Sequence, residues 1–138
     1  MDASKLKAAA RSTFHVKSVT GEPLFDDGDI NKPVRITMHG PGTRAASIVK
    51  SRQTARTLKR MQDNDGKVTA PTADETLAER AEDLATMTIA FENLSHGELA
   101  GAELFEAVYG DPELGYIAEQ ADKHWSGWGN FKPGSPAS

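Results

Sequence analysis

Residues 34–44 read Val-Arg-Ile-Thr-Met-His-Gly-Pro-Gly-Thr-Arg, and one kind of local structure changes into another within them. Apolar and polar side chains alternate over residues 34–38, which is typical of a β-strand with one buried face. Gly-Pro-Gly at residues 40–42 then ends the strand, and Thr43 is placed to cap a helix that extends to about Gln62. The stretch therefore predicts a β region before it and a helical region after it.

A second alternating stretch lies upstream, at residues 13–19. Two segments between the alternating stretches have the composition of turns: Gly-Glu-Pro at residues 21–23 and Asp-Asp-Gly-Asp at residues 26–29. Two strands joined through such turns form a hairpin or a short meander. We therefore predict that residues 12–40 form a β-hairpin or a small meander.

The helix that begins after Thr43 has only a sparse apolar stripe. The members of this stripe recur at helical spacing, so we expect them to face the core and to leave most of the helix surface to basic residues. They are Ile48, Ala55, Leu58 and Met61.

Capping signals predict three further helices. Thr-x-x-Glu at residues 72–75 is a capping box, and an apolar series with helical spacing follows it over residues 77–91. Ser-x-x-Glu at residues 95–98 predicts the start of a shorter helix, which Gly110 ends. Asp-Pro at residues 111–112 opens the last helix, with proline at the favoured first position. The apolar stripe of that helix is Leu114, Ile117, Ala121, Trp125 and Trp128.

These signals together predict an α+β protein with one domain over residues 1–131. Its β-hairpin region is residues 12–40, its helical region of about four helices is residues 43–131, and the Pro- and Ser-rich residues 132–138 form a disordered tail. No apolar run approaches the about 20 residues of a membrane span, and residues 1–11 lack the apolar segment of a secretory signal. We therefore expect a cytoplasmic protein with no membrane partner.

Residue types that carry catalysis or bind metals are present without the spacing that those functions need. The chain has no cysteine, its four histidines form no His-x-x-x-His pair, and no Gly-x-Ser-x-Gly elbow occurs. The acidic turns at residues 26–29 and 63–66 lack the glutamate that completes a calcium loop. We therefore expect no enzyme, no metal and no cofactor.

Charge is divided unevenly along the chain, although the net charge is only −4. Residues 44–60 carry six cations and no acid, whereas residues 72–122 carry thirteen acidic residues against Arg80 alone. The basic helix either follows a nucleic-acid backbone or pairs with acidic surface, in this chain, across a homo-oligomer or on a partner. The absence of an aromatic residue from the basic segment and a pI near 5.5 argue against nucleic acid. The candidate partner-binding cations are Arg44, Lys50, Arg52, Arg56, Lys59 and Arg60.

Aromatic residues gather near the C-terminal end and have two possible roles. Tryptophans spaced three apart on one helical face usually seal a core, yet aromatic side chains also dominate protein interfaces. We expect Trp125 to stabilise the core and Trp128 to be the better candidate for a contact. The candidate partner-binding aromatics are Tyr116, Trp128 and Phe131.

The order of these segments resembles the small tail assembly chaperones of long-tailed, siphovirus-like bacteriophages. The likeness covers about residues 12 to 131 and has no single chemical signature. The segments that carry it are Gly-Glu-Pro at 21–23, the strand and helix start at 34–44, Lys-Ser-Arg-Gln-Thr-Ala-Arg at 50–56, Asp-Pro-Glu-Leu-Gly-Tyr-Ile-Ala-Glu-Gln at 111–120, and Asn-Phe at 130–131.

The resemblance implies a non-enzymatic protein of the host cytoplasm. Members of this family bind the tape-measure protein, keep its long helical and apolar segments soluble, and help tail-tube subunits assemble around it. They leave before the tail is finished, so the resemblance implies absence from the mature virion. Two alternatives remain open at this point: a nucleic-acid-binding accessory protein that uses residues 44–60, and a structural tail component that stays in the virion.

Overall fold

A three-stranded antiparallel sheet, covered on one face by helices, organises the protein. The structure is a computed structural model, and it describes residues 1–134. The strands are β1 (Arg11–His15), β2 (Arg35–His39) and β3 (Thr88–Glu92), and the helices are α1 (Arg44–Asp63), α2 (Ala73–Met87), α3 (Gly101–Tyr109) and α4 (Gly115–Ser126). This architecture confirms the predicted α+β class.

The strand order is β1-β2-β3, so β2 lies in the centre. Phe14 pairs with Ile36, and Ile36 pairs with Phe91 on the other side. Because side chains alternate along a strand, Ile36 and Met38 of β2 point into the core and are fully buried, whereas Arg35 is exposed. The opposite face of the sheet is polar, and on it the Thr13 and Thr37 hydroxyls hydrogen-bond across β1 and β2 at 2.7 Å.

The first strand is shorter than the predicted residues 13–19. Val16 continues the pairing past the end of β1, since its N–H donates to the Val34 carbonyl at 2.9 Å. The chain then turns, with the Gly21 N–H bonded to the Ser18 carbonyl, and Val19 is left exposed. Isolated bridges pair Lys17 with Pro23 and Phe25 with Pro33, so the segment between β1 and β2 is a bent meander.

The third strand is the main difference from the prediction, which continued the second helix to Phe91. The capping box of Thr72 and Glu75 forms as expected, but α2 ends at Met87 and the chain enters β3 at once. The Thr88 hydroxyl donates to the Leu84 carbonyl and also bonds the Tyr109 hydroxyl, both at 2.7 Å. Thr88 and Phe91 still lie on the core side, because the pairing of β2 with β3 shifts by one residue between Ala90 and Thr88, and this bulge places both side chains on the same face.

The last two helices begin later than their sequence signals. The capping box predicted at residues 95–98 is not what starts α3, which begins at Gly101 after Ala100 as its N-cap. The Asp111 carboxylate caps a single 3-10 turn, Pro112–Leu114, and α4 follows from Gly115. Trp128 therefore lies beyond α4, in the short 3-10 turn Trp128–Asn130.

The C-terminal end of the described chain closes the sheet at the β1 side. The Gln120 side chain bonds both backbone groups of Lys17, at 2.7 and 2.9 Å, and the Ala9 N–H donates to the Phe131 carbonyl at 3.0 Å. Phe131 is fully buried, and a Cβ added at Gly40 would lie 2.8 Å from its ring. Part of the tail predicted over residues 132–138, namely residues 135–138, lies outside the described residues.

Candidate partner-binding surface

Helix α1 buries a different face from the one that the sequence predicts. Ala46 and Val49, in its first turns, are buried in the core, but further along the helix the inward side consists of arginines. Ile48 and Leu58 of the predicted core stripe are 44% and 54% exposed. Ala55 is exposed as well, and Met61 is half-buried. The expectation that this stripe faces the core is therefore wrong for all but its last member.

Three arginines attach α1 to α2, and their spacing of four residues places them on one side of the helix. They are Arg52, Arg56 and Arg60. At the end nearest the sheet, Arg52 contacts Asp83 at 3.2 Å and Glu82 at 3.3 Å, and it also donates to the Thr86 hydroxyl at 3.1 Å. The two helices run antiparallel, so successive arginines meet acids that lie progressively earlier in α2.

Asp83 is the centre of this network. Its side chain accepts hydrogen bonds from Arg52, from Gln53 at 3.3 Å and from Arg56 at 2.8 Å, and the residue is only 7% exposed. The hydrogen bond to Asp83 raises the pKa of Arg56 above its ordinary value, with the Glu82 carboxylate acting in the same direction. Removing one partner from a buried ion pair of this kind is costly, because the polar group that remains is left buried without its hydrogen bonds.

Arg60 extends the network towards the start of α2. It forms an ion pair with Glu79 and lies 3.8 Å from Glu75. Hydrogen bonds with Thr72 in the capping box lower the pKa of Glu75, and Arg60 contributes to the same shift. Of the alternatives given for the basic helix, pairing with acidic surface in this chain is thus found for three arginines.

The other three cations of the helix do not join this network. Arg44, Lys50 and Lys59 are exposed, and their only ion pair within residues 1–134 is the 3.5 Å contact of Lys59 with Asp63 in the next turn. They share the solvent-facing side of α1 with the exposed apolar residues. We name this surface the outer face of α1, and it consists of Arg44, Ile48, Lys50, Ser51, Ala55, Leu58 and Lys59.

The aromatic candidates separate into core and surface. Phe131 is fully buried and packs near the His124 ring at 5.3 Å, so it cannot contact a partner while the fold is intact. Tyr116 is half-buried against the core. Trp125 also packs on the core and donates its indole N–H to Asp122 at 3.2 Å. Trp128 is 60% exposed and covers Gly42, just before α1.

A cleft of about 390 Å³ lies between α1, α2 and α4. Its walls include Arg56, Arg60, Asp83 and Trp125, so the arginine network fills much of its polar lining. The Arg80 side chain also lines this cleft, and its buried Nε has no hydrogen-bond partner among the described residues. An atom that is closed off from solvent is also closed off from a ligand, so the Nε of Arg80 is not a binding group.

Chemical sites of other kinds are not found in the part of the chain that the structure describes. Over residues 1–134, no group of three or more His, Asp or Glu side chains is arranged to hold a metal ion. None of the helices in the same region combines the length and the apolar character that crossing a membrane requires. A comparison of the chain with protein-family models, with curated proteins and with solved structures found no match in any of the three.

The spacing of charged residues in the sequence indicates the arginine network but not the partners of the arginines. Arginines at a four-residue spacing in α1 and acids at three- and four-residue spacings in α2 indicate two helical faces of opposite charge. Periodicity alone does not tell whether such faces meet each other or a partner. Asp83, the most important acid, has no feature in the sequence that distinguishes it from its neighbours.

Proposed function

We propose that the protein is a non-enzymatic assembly chaperone of a bacteriophage tail, which binds the tape-measure protein in the host cytoplasm. The resemblance of residues 12–131 to tail assembly chaperones motivates this proposal. The single observation that supports it best is the outer face of α1, where Ile48, Ala55 and Leu58 are exposed. A chaperone for a long helical client needs an accessible apolar surface bordered by charge, and not a reactive pocket.

The nucleic-acid alternative loses most of its support from the orientation of α1. Arg52, Arg56 and Arg60 are engaged by acids of α2, so at most three cations of the segment are free to meet phosphates. Three phosphate contacts correspond to a salt slope of only about −2.7 in log affinity for duplex DNA. A slope that small corresponds to a limited, sequence-independent electrostatic attraction.

Co-expression tests the proposal directly. The tape-measure protein of the same phage is expressed alone and together with this chain, and its soluble yield and co-purification are measured. We expect co-expression to raise the soluble yield and to give a complex that gel filtration separates from the free proteins. An unchanged yield, with no co-purifying complex, would rule out the chaperone function.

Mass spectrometry of purified virions separates the chaperone from a structural component. A chaperone that leaves before the tail is finished should be absent from the virion or present only in traces. The tape-measure and tail-tube proteins serve as internal standards in the same measurement. Copies in a fixed ratio to the tail-tube protein would instead favour a component that stays in the virion.

A further inference from the structure

The outer face of α1 has the geometry of a helix-docking ridge. Ile48, Ser51, Ala55 and Leu58 follow one another at spacings of three, four and three residues, which places them along one side of the helix. At a rise of about 1.5 Å per residue, this row is about 15 Å long. It offers a partner two to three turns of continuous contact.

The shape of this row favours an α-helix as the occupant. The row is a convex ridge on a single helix, with the small residues Ser51 and Ala55 between the larger Ile48 and Leu58. Small residues at the centre allow a second helix to approach to the usual 8–10 Å between axes, so that its side chains fit between the larger ones. A single extended strand could not bond backbone groups here, because those of α1 are used within the helix.

The charge of this face determines which helix fits. Arg44, Lys50 and Lys59 border the row, and residues 44–62 contain no acid, so Asp63 alone offsets them in this helix. Among the described residues, the acids of α2 pair with Arg52, Arg56 and Arg60, and none of them pairs with Arg44, Lys50 or Lys59. A partner with acidic residues beside its apolar row would be attracted, and a basic partner would be repelled.

The same charges disfavour a second copy of the chain as the occupant through this face. A symmetric dimer would place the outer face of α1 against its own equivalent, because such interfaces use the same patch on both subunits. The cations that border the row would then meet like charges. A partner of opposite charge remains the complementary occupant.

We infer that the outer face of α1 is the client-binding surface and that it selects an amphipathic α-helix whose apolar row is flanked by acidic residues. The identification of the client as the tape-measure protein rests on the proposed function, whereas the chemistry of the bound helix does not. The arginine network supports this role, since it fixes α1 to the domain without using any residue of the outer face.

Two designed peptides of about 18 residues, or five helical turns, test the inference as probes. Both carry the same leucine row, and the flanking positions are glutamate in one peptide and lysine in the other. Their affinities for the full chain are measured by titration calorimetry at low and at high salt. We expect the glutamate peptide to bind about tenfold or more tightly than the lysine peptide, and this preference to shrink at high salt.

Leu58→Glu is the informative variant, and Val68→Glu is its matched control. Both replace an exposed apolar residue by glutamate, but Val68 is 83% exposed in the loop after α1 and lies outside the outer face. We expect Leu58→Glu to weaken binding of the glutamate peptide about tenfold or more, as for other interface anchors, while Val68→Glu leaves the affinity unchanged. Circular dichroism and thermal melting are measured to check that both variants fold.

Three results would overturn the inference: equal affinity for the two peptides, equal effects of the two substitutions, or a dimer of the wild-type chain that Leu58→Glu dissociates. The co-expression assay distinguishes this failure from failure of the proposed function. If Leu58→Glu still raises the soluble yield of the tape-measure protein, the surface is wrong and the chaperone function stands. If the wild-type chain gives no such rise but prefers the glutamate peptide, the surface stands and the named client is wrong.

Discussion

At the scale of single residues, Asp83 is the buried carboxylate on which the ion pairs between α1 and α2 depend most. Its carboxylate is buried and pairs with two arginines, so removing it would leave the partly buried Arg52 and Arg56 with only the exposed Glu82 as an ion-pair partner. We predict that Asp83→Ala lowers the free energy of unfolding by about 3–5 kcal/mol, measured by urea denaturation. Glu82→Ala is the control, because Glu82 is exposed and its ion pairs should contribute only about 0–1 kcal/mol. Equal effects of the two substitutions would contradict this account.

His124 and His39 are two histidines whose protonation should couple pH to stability. The His124 ring lies between Phe14 and Phe131, and burial lowers its pKa, although a hydrogen bond with the backbone of Ser12 acts in the opposite direction. Burial and the charge of Arg11 lower the pKa of His39 in the same way. The unfolded chain therefore binds these protons more readily than the folded protein does.

The sign of the pH dependence follows from that difference. The contribution of these neutral histidines to the free energy of unfolding is fully present above the unfolded histidine pKa of about 6.5. It is lost as the pH falls from there towards the lower pKa values of the folded protein. We predict that His124→Phe, which keeps an aromatic ring in place, reduces the loss of unfolding free energy between about pH 7 and pH 5. Urea denaturation at several pH values measures it. His39 should account for part of the pH-dependent loss that remains in this variant. If the unfolding free energy of the variant changes with pH as steeply as that of the wild type, His124 is not involved.

At the scale of elements, α1 is held in two different ways. Its first turns are fixed by Ala46 and Val49 in the core, whereas its later turns are fixed mainly by ion pairs with α2. Ion pairs near the surface weaken as salt rises, but buried apolar contacts do not. The two halves of one helix should therefore respond differently to ionic strength.

Hydrogen exchange tests this difference. We predict that raising salt from about 0.05 M to about 1 M speeds amide exchange in residues 52–63. Residues 117–121 of α4, whose buried members are apolar, provide the internal control and should keep their rates. Uniform protection of α1 at both salt concentrations would mean that its ion pairs contribute little.

The elements also show what sequence reasoning can and cannot reach. The capping box of Thr72 and Glu75 is local, so its prediction is confirmed. The strand β3 was missed because its backbone bonds lie with β2, about fifty residues away, and nothing within residues 88–92 shows that. The outer face of α1 was missed for a different reason: apolar residues were expected inside, whereas the inward side of α1 carries arginines that pair with the buried Asp83 and with neighbouring acids of α2.

At the scale of the whole molecule, the uneven charge of the sequence is largely resolved within the chain. The basic helix and the acidic helix lie side by side, and their paired charges neutralise each other along that contact. The core contains apolar residues from both strands and helices, as the sequence predicts. Six cations of α1 were predicted as partner-binding candidates, but which of them remain available could not be predicted, because that depends on the distance between α1 and α2.

The closure of the sheet by Phe131 has a consequence for how the protein is made on the ribosome. Ala9 and Gly40 at the β1 side depend on a residue that is synthesised more than ninety positions after Gly40. The N-terminal strands therefore leave the ribosome long before the side chain that seals them exists. The domain can be completed only after Phe131 has been synthesised and has left the ribosome.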